Sequence, residues 1–239
     1  MKTRTSRAIG LSAAIAAIAV SVPLAITAEA DPQPVTAAPV PDPQGTCDPV
    51  KAELATQGLD WTALDKLPVG QVLAKIPSLS TFTSAMSGGL NPAVNVVPVL
   101  ENGPYVVFAP NNDAFAKLDP AELETLKTDP AALYKLDYYH AFLGLLGPGD
   151  VAGQRPTQQG AEVKVTGKDG DIKVNDTTKV ICGGIQASNA RIYIIDSVLN
   201  PDSPPEAITP SAATNTGKPT TTTSTTSAEP EPAAEAPIG

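Results

Sequence analysis

Fourteen residues, 105–118 (YVVFAPNNDAFAKL), encode a strand, a capped turn and a helix in succession, and the strand must be buried. Tyr105, Val106, Val107 and Phe108 are β-branched or aromatic, the composition of an interior strand. Ala109 and Pro110 end it, because proline has no N–H to give to a ladder. Asn111, Asn112 and Asp113 then offer side-chain oxygens to the free amides of a new helix. Asp113 falls in its first turn, where its charge complements the helix dipole, and Phe115 and Leu118 face inward.

A second stretch, residues 189–201 (NARIYIIDSVLNP), reads as a strand buried on both faces. Ile192, Ile194, Val198 and Leu199 are apolar, Tyr193 and Ile195 fill the other face, Asp196 interrupts the run and Pro201 closes it. Together the two stretches resemble the paired signature segments of the fasciclin-domain family, TVFAPTNDAF-like at the start and NGVIHVIDxVLLP-like at the end. Between them, Tyr139 and His140 match the family's Tyr-His pair. The similarity covers about residues 79–201 and is strong toward the single-domain secreted antigens of mycobacteria. Asn111 stands where Thr is usual, Ala190 for Gly, Arg191 for an apolar residue and Tyr193 for His. The resemblance implies an α+β fold, a fasciclin-like wedge of two β-sheets flanked by helices, with a helical N-terminal half. It also implies a role in binding or cell adhesion, with Tyr139, His140 and Tyr193 as candidate binding residues.

The flanks have their own character. Lys2, Arg4 and Arg7 precede an Ala- and Ile-rich run and an Ala28-Glu29-Ala30 cleavage pattern, so residues 1–30 read as a secretory signal peptide. The run is too short for a membrane anchor. Residues 31–46 form a proline-rich linker, residues 47–201 the fasciclin-like domain, and residues 202–239 a disordered tail with a Thr/Ser run at 220–227. The whole chain has a formal charge of −9, and losing the signal peptide makes it more acidic. That balance argues against nucleic acid and anionic membrane surfaces as partners, and no stable membrane insertion is expected after signal cleavage.

Within the domain, Asp48 and Pro49 read as the cap and first residue of a helix ending near Gly58. Trp61, Leu64 and Leu67 continue an apolar spacing, and further helices are expected at about 69–76 and 79–86. Val94 to Leu100 is apolar, and Pro98 limits it to a short element. Pro120 and Pro130 sit where helices start, with runs at 121–127 and 131–138, and residues 139–146 read as a strand. After the Gly147-Pro148-Gly149-Asp150 turn the period becomes two. Val163 and Val165, then Ile172 and Val174, form a hairpin around the turn residues 167–170, followed by strands at 179–182 and 185–188.

Cys47 and Cys182 are the only cysteines, an even count that in an exported chain points to one disulfide. The mycobacterial relatives that the chain resembles carry a matching pair. His140 is the single histidine, which removes His-rich metal sites, and inside an apolar run it reads as a buried, hydrogen-bonded core residue. Asn111, Asp113 and Asp196 read as structural caps and turn-fixing residues, since no cleft is visible around the two carboxylates. Gly183 and Gly184 lack the context of a phosphate loop and suit a bulge. Asn175-Asp176-Thr177 is a glycosylation pattern. No metal, cofactor or catalytic residue is expected. The chain is expected to be a secreted, extracellular monomer that binds a protein or glycan at the cell surface or matrix and is not an enzyme. The alternative is a carrier of a small apolar ligand in a pocket between sheet and helices, lined by Phe82, Phe142 and Tyr193.

Overall fold

Capping chemistry sets most of the helix boundaries. The computed structural model describes residues 42–208. The signal peptide, most of the linker and the Thr/Ser run of the tail lie outside them. Strand β1 (Gln44–Gly45) precedes α1 (Asp48–Ala55), where Cys47 occupies the cap position and Asp48 is the first helical residue, one step earlier than the Asp-Pro pattern suggested. Helix α2 (Trp61–Leu64) is capped by Asp60, whose carboxylate accepts from the Ala63 amide. Helices α3 (Val69–Ala74), α4 (Ser80–Met86) and α5 (Val97–Glu101) complete the helical half.

Strand β2 (Tyr105–Pro110) leads into α6 (Asn112–Ala116). Helices α7 (Pro120–Thr128) and α8 (Pro130–Tyr139) repeat one device: Asp119 and Asp129 bond the amides of Ala121 and Ala131, and a proline starts the helix. Strands β3 (Ala141–Leu143), β4 (Gly153–Pro156), β5 (Glu162–Lys168), β6 (Asp171–Val174), β7 (Thr178–Gln186) and β8 (Ala190–Ile195) follow.

The strands pair in the order β3-β2-β8-β7-β6-β5-β4, with β1 also on β7. The two signature strands, β2 and β8, lie side by side and parallel, Tyr105 opposite Ala190 and Pro110 opposite Ile195. Alternation of side chains divides their contents. Val107, Ala109, Ile192 and Ile194 join the core beneath the helices. Val106, Phe108, Tyr193 and Ile195 join a second core with Val163, Val165, Ile172 and Val174 of the β5–β6 hairpin. In that second core the rings of Phe142 and Tyr193 lie 5.9 and 5.8 Å from Phe108, tilted, an arrangement worth roughly 0.5–1.5 kcal/mol per pair beyond burial. The fold is α+β: two sheet layers form the wedge, with helices on one outer side.

The two layers are joined through β7. Its first residues pair with β6 and the remainder with β8, so the strands expected at 179–182 and 185–188 are one strand. Register shifts between Val180 and Cys182 and between Gly183 and Ile185 bend it. Gly183 is required there, because a Cβ would lie 2.7 Å from the Tyr193 ring. The β5–β6 turn is shorter than the expected 167–170. Gly167 and Lys168 belong to β5, and Asp169 and Gly170, both at positive φ, make a two-residue turn.

Order reaches beyond Cys47 and Pro201. Gln44 and Gly45 pair with Gly183 and Cys182, placing β1 beside the Cys47–Cys182 disulfide. Downstream, Lys135 pairs with Asp202, and the Ile208 amide donates to the Glu162 carboxylate at 3.0 Å.

Candidate functional site

The Tyr-His pair sits at a junction different from the expected strand. Helix α8 runs through Tyr139, and His140 terminates it, so the strand starts only at Ala141. Leu133, Leu136 and His140 fall on one helical face, and this spacing overrides the apolar run that suggested a strand from 139. Tyr139 turns into the second core, where its hydroxyl donates to the Glu162 carbonyl (3.1 Å) and accepts from Asn175 Nδ2 (3.0 Å).

The His140 ring is fully buried beside Phe82, with ring centroids 5.7 Å apart. Its Nε2 accepts from the Leu199 amide at 3.0 Å, so Nδ1 carries the proton and donates to the Leu136 carbonyl at 2.8 Å. Burial disfavours the imidazolium and pushes its pKa down to about 4. The ring is a neutral bolt fastening the segment after β8 to α8. Replacing it with alanine leaves a buried amide unpaired and a void, for an expected loss of about 2–4 kcal/mol. Urea unfolding measures the loss, and faster hydrogen exchange at the Leu199 amide localises it.

Tyr193 is buried too, its hydroxyl donating to the Leu146 carbonyl at 2.7 Å, and burial raises its pKa above the ordinary phenol range. A macromolecule therefore reaches none of Tyr139, His140 and Tyr193 in this fold. Nor do Phe82, Phe142 and Tyr193 line one pocket. Phe82 is packed under the helices, while Phe142 and Tyr193 sit in the other core. Asn175 is half-buried and spent as well, since its Oδ1 also accepts from the Lys164 amide.

The polar residues of the signature segments fasten elements together. Asn111 caps α6 through the Ala114 amide at 2.8 Å. Asn112 reaches across to α4, accepting from the Thr81 amide and donating to the Pro77 carbonyl. Asp196 accepts from the Lys179 amide (2.9 Å) and the Ser197 hydroxyl. Asn189, not singled out from sequence, accepts from the Val69 amide and donates to the carbonyls of Leu100 and Gly103.

Asp113 differs from these. It is exposed in the first turn of α6 and lines a cleft of about 370 Å³ with Asn111 and Ile194, so the expectation that no cleft surrounds this carboxylate is corrected. Val50, Glu53 and Ile181 form other walls. The cleft is composite, drawing on both signature segments, α1 and β7, which explains why it is invisible in linear sequence. Glu53 is partly committed, accepting from the amide and hydroxyl of Ser78. The two cysteines of the disulfide are chain neighbours of the lining residues Thr46 and Ile181.

Residues 77–201 match the fasciclin domain. The chain belongs to the fasciclin family. Over 134 residues it is 46% identical to immunogenic protein MPB70 of Mycobacterium bovis, an alignment spanning 56% of this chain and 69% of that one. It is 45% identical over 134 residues to cell surface glycolipoprotein MPB83 of the same species, spanning 56% and 60% respectively. A FAS1 domain pair from the insect cell adhesion molecule fasciclin I aligns with a TM-score of 0.46 at 16% identity, over 56% of this chain and 51% of that one. Helices α1 to α3 of this fasciclin chain precede the matched residues.

Asp137 was missed in the sequence. It is fully buried on α8, both carboxylate oxygens lack a hydrogen-bond partner, and burial pushes its pKa up to about 8. The signal was there: Asp137 is four residues after Leu133 and three before His140, on the inward face. Among the described residues, no group of three or more His, Cys, Asp or Glu is placed to hold a metal ion, and no helix is long and apolar enough to cross a membrane.

Proposed function

We propose that this fasciclin chain is a secreted, non-catalytic binding module that recognises an extracellular protein or glycan through the Asp113 cleft. The observation carrying this reading is the convergence of both signature segments on one solvent-open concavity while the Tyr-His pair is buried. Val50, Ile181 and Ile194 supply apolar contact, and the exposed Asp113 carboxylate gives the rim a negative charge suited to a basic or hydroxyl-rich group. The disulfide and the export pattern at residues 1–30 support action outside the cell. The chain's relative MPB83 is a cell surface glycolipoprotein, in keeping with that location. Non-catalysis is supported by His140, whose two ring nitrogens are both engaged away from the cleft.

Asp113→Lys and Ile181→Arg variants test this. Each is expected to lower binding to host-cell surfaces or isolated wall glycan at least tenfold while melting within a few degrees of the parent. Binding equal to the parent in both folded variants rules out this cleft.

A further inference from the structure

A second concavity lies on the opposite flank of α1, in the part of the chain that precedes the family match. Lys51, Leu54, Ala55, Leu59, Asp60 and Trp61 enclose about 200 Å³, with mainly apolar walls. Helix α1 supplies one wall and the start of α2 the other. Their angle is held by a closed turn, in which the Leu59 amide donates to the Leu54 carbonyl and Gly58 adopts a φ of +69°. One turn before Lys51, α1 is anchored by the disulfide at Cys47. The notch is therefore built in advance of any occupant.

Two charges flank it and they are not equivalent. The Asp60 carboxylate keeps its negative charge but is fixed to the start of α2, its Oδ1 accepting from the Thr62 hydroxyl at 2.7 Å and the Ala63 amide at 2.9 Å. Those bonds, the Thr62 hydroxyl first, hold its pKa below the ordinary carboxylate value. Lys51 is exposed and engages no side-chain partner among the described residues, which leaves its flexible ammonium free to meet a group at the mouth.

We infer that this notch binds a single-chain amphiphile with an anionic head, the aliphatic chain lying against Leu54, Leu59 and Trp61 and the head meeting Lys51. The size fits a short segment of chain: a cavity of about 150 Å³ accepts benzene, so about 200 Å³ takes roughly six to eight carbons. A fatty-acid carboxylate and a lipid phosphate share this chemistry, and the notch accommodates the end of a longer tail or a whole short one. The site is independent of the Asp113 cleft, so the two proposals fail separately.

Trp61 is the only tryptophan, so intrinsic fluorescence of the full mature chain reports on the site directly. Octanoate, octyl phosphate, octan-1-ol and octylammonium are titrated below their aggregation limits. Octanoate and octyl phosphate are expected to give saturable changes, binding about threefold to fivefold more tightly than octan-1-ol, the range for one exposed charge pair. Lys51→Glu is expected to abolish that preference while keeping the response to octan-1-ol. Ala55 is exposed, so Ala55→Phe tests occupancy by filling the notch without disturbing the core, and it is expected to remove every response while the thermal melt is retained. Absence of a saturable change, an unchanged response in folded Ala55→Phe, or tighter binding of octylammonium than octanoate would each overturn the assignment.

Discussion

Replacing Asp137 with asparagine is expected to stabilise the domain at pH 7 by roughly 4 kcal/mol. The wild-type carboxyl is buried on α8 without a partner and near the helix C-terminus, where negative charge is also opposed by the dipole. Its pKa rises from 3.8 in the unfolded chain to about 8 in the fold. A group shifted upward contributes its full stability below pH 3.8 and loses it progressively as pH rises through 8. Most of the penalty is therefore present at pH 7, and asparagine, which does not ionise, removes it. Leucine also removes the unpaired polar atoms and should match or exceed asparagine.

His140 runs in the opposite direction. Its folded pKa is depressed from 6.5 to about 4, so its contribution is complete above pH 6.5 and is lost as pH falls toward 4, by about 3 kcal/mol in all. Between pH 4 and 6.5 the two slopes are opposite and nearly equal, so the wild-type stability is expected to be almost flat there. From pH 6.5 to 8 only Asp137 titrates, and stability should fall by about 2 kcal/mol. In the Asp137→Asn variant the plateau becomes a rise of about 3 kcal/mol between pH 4 and 6.5, set by His140 alone. Urea denaturation at half-unit pH intervals measures both profiles. Identical pH profiles for parent and variant would show that the carboxyl is not buried as described.

Reducing the Cys47–Cys182 disulfide is expected to lower stability by about 5 kcal/mol, because the bond closes a loop between cysteines 135 positions apart and restricts the unfolded chain. For a folded region of this size that corresponds to a fall in melting temperature of roughly 10–20 °C. A Cys47→Ser, Cys182→Ser double variant should reproduce it. The local effect is as informative as the global one. The bond joins the start of α1 to the bent strand β7, with β1 pairing alongside, so reduction frees Thr46, Pro49, Val50 and Glu53 from the cleft wall. Binding through the Asp113 cleft should weaken in the reduced protein at temperatures where Phe108, Tyr193 and their second core stay packed. Scanning calorimetry with and without a phosphine reductant, paired with a binding assay, reports both. Coincident melts for reduced and oxidised protein would refute the stabilising role of the bond.

Local sequence determined the parts of this protein whose physics is local. Tyr105 to Phe108 reads as an interior strand because its side chains are all β-branched or aromatic, and Asn111 caps the helix because its oxygen lies three residues before the Ala114 amide. Pro120 and Pro130 announced the starts of α7 and α8, because proline suits the first helical position. A two-cysteine count in an exported chain likewise pointed to one disulfide. Tertiary structure alone decided what those parts do together. Asn112 holds the Thr81 amide thirty-one positions upstream, Asn189 ties the start of α3 and the end of α5 to one turn, and His140 holds an amide fifty-nine positions away. The Asp113 cleft and the Trp61 notch are likewise made by surfaces that meet only after folding. Caps, turns and strand composition act over a few residues, whereas burial, pKa and concavity depend on which distant side chains surround a group.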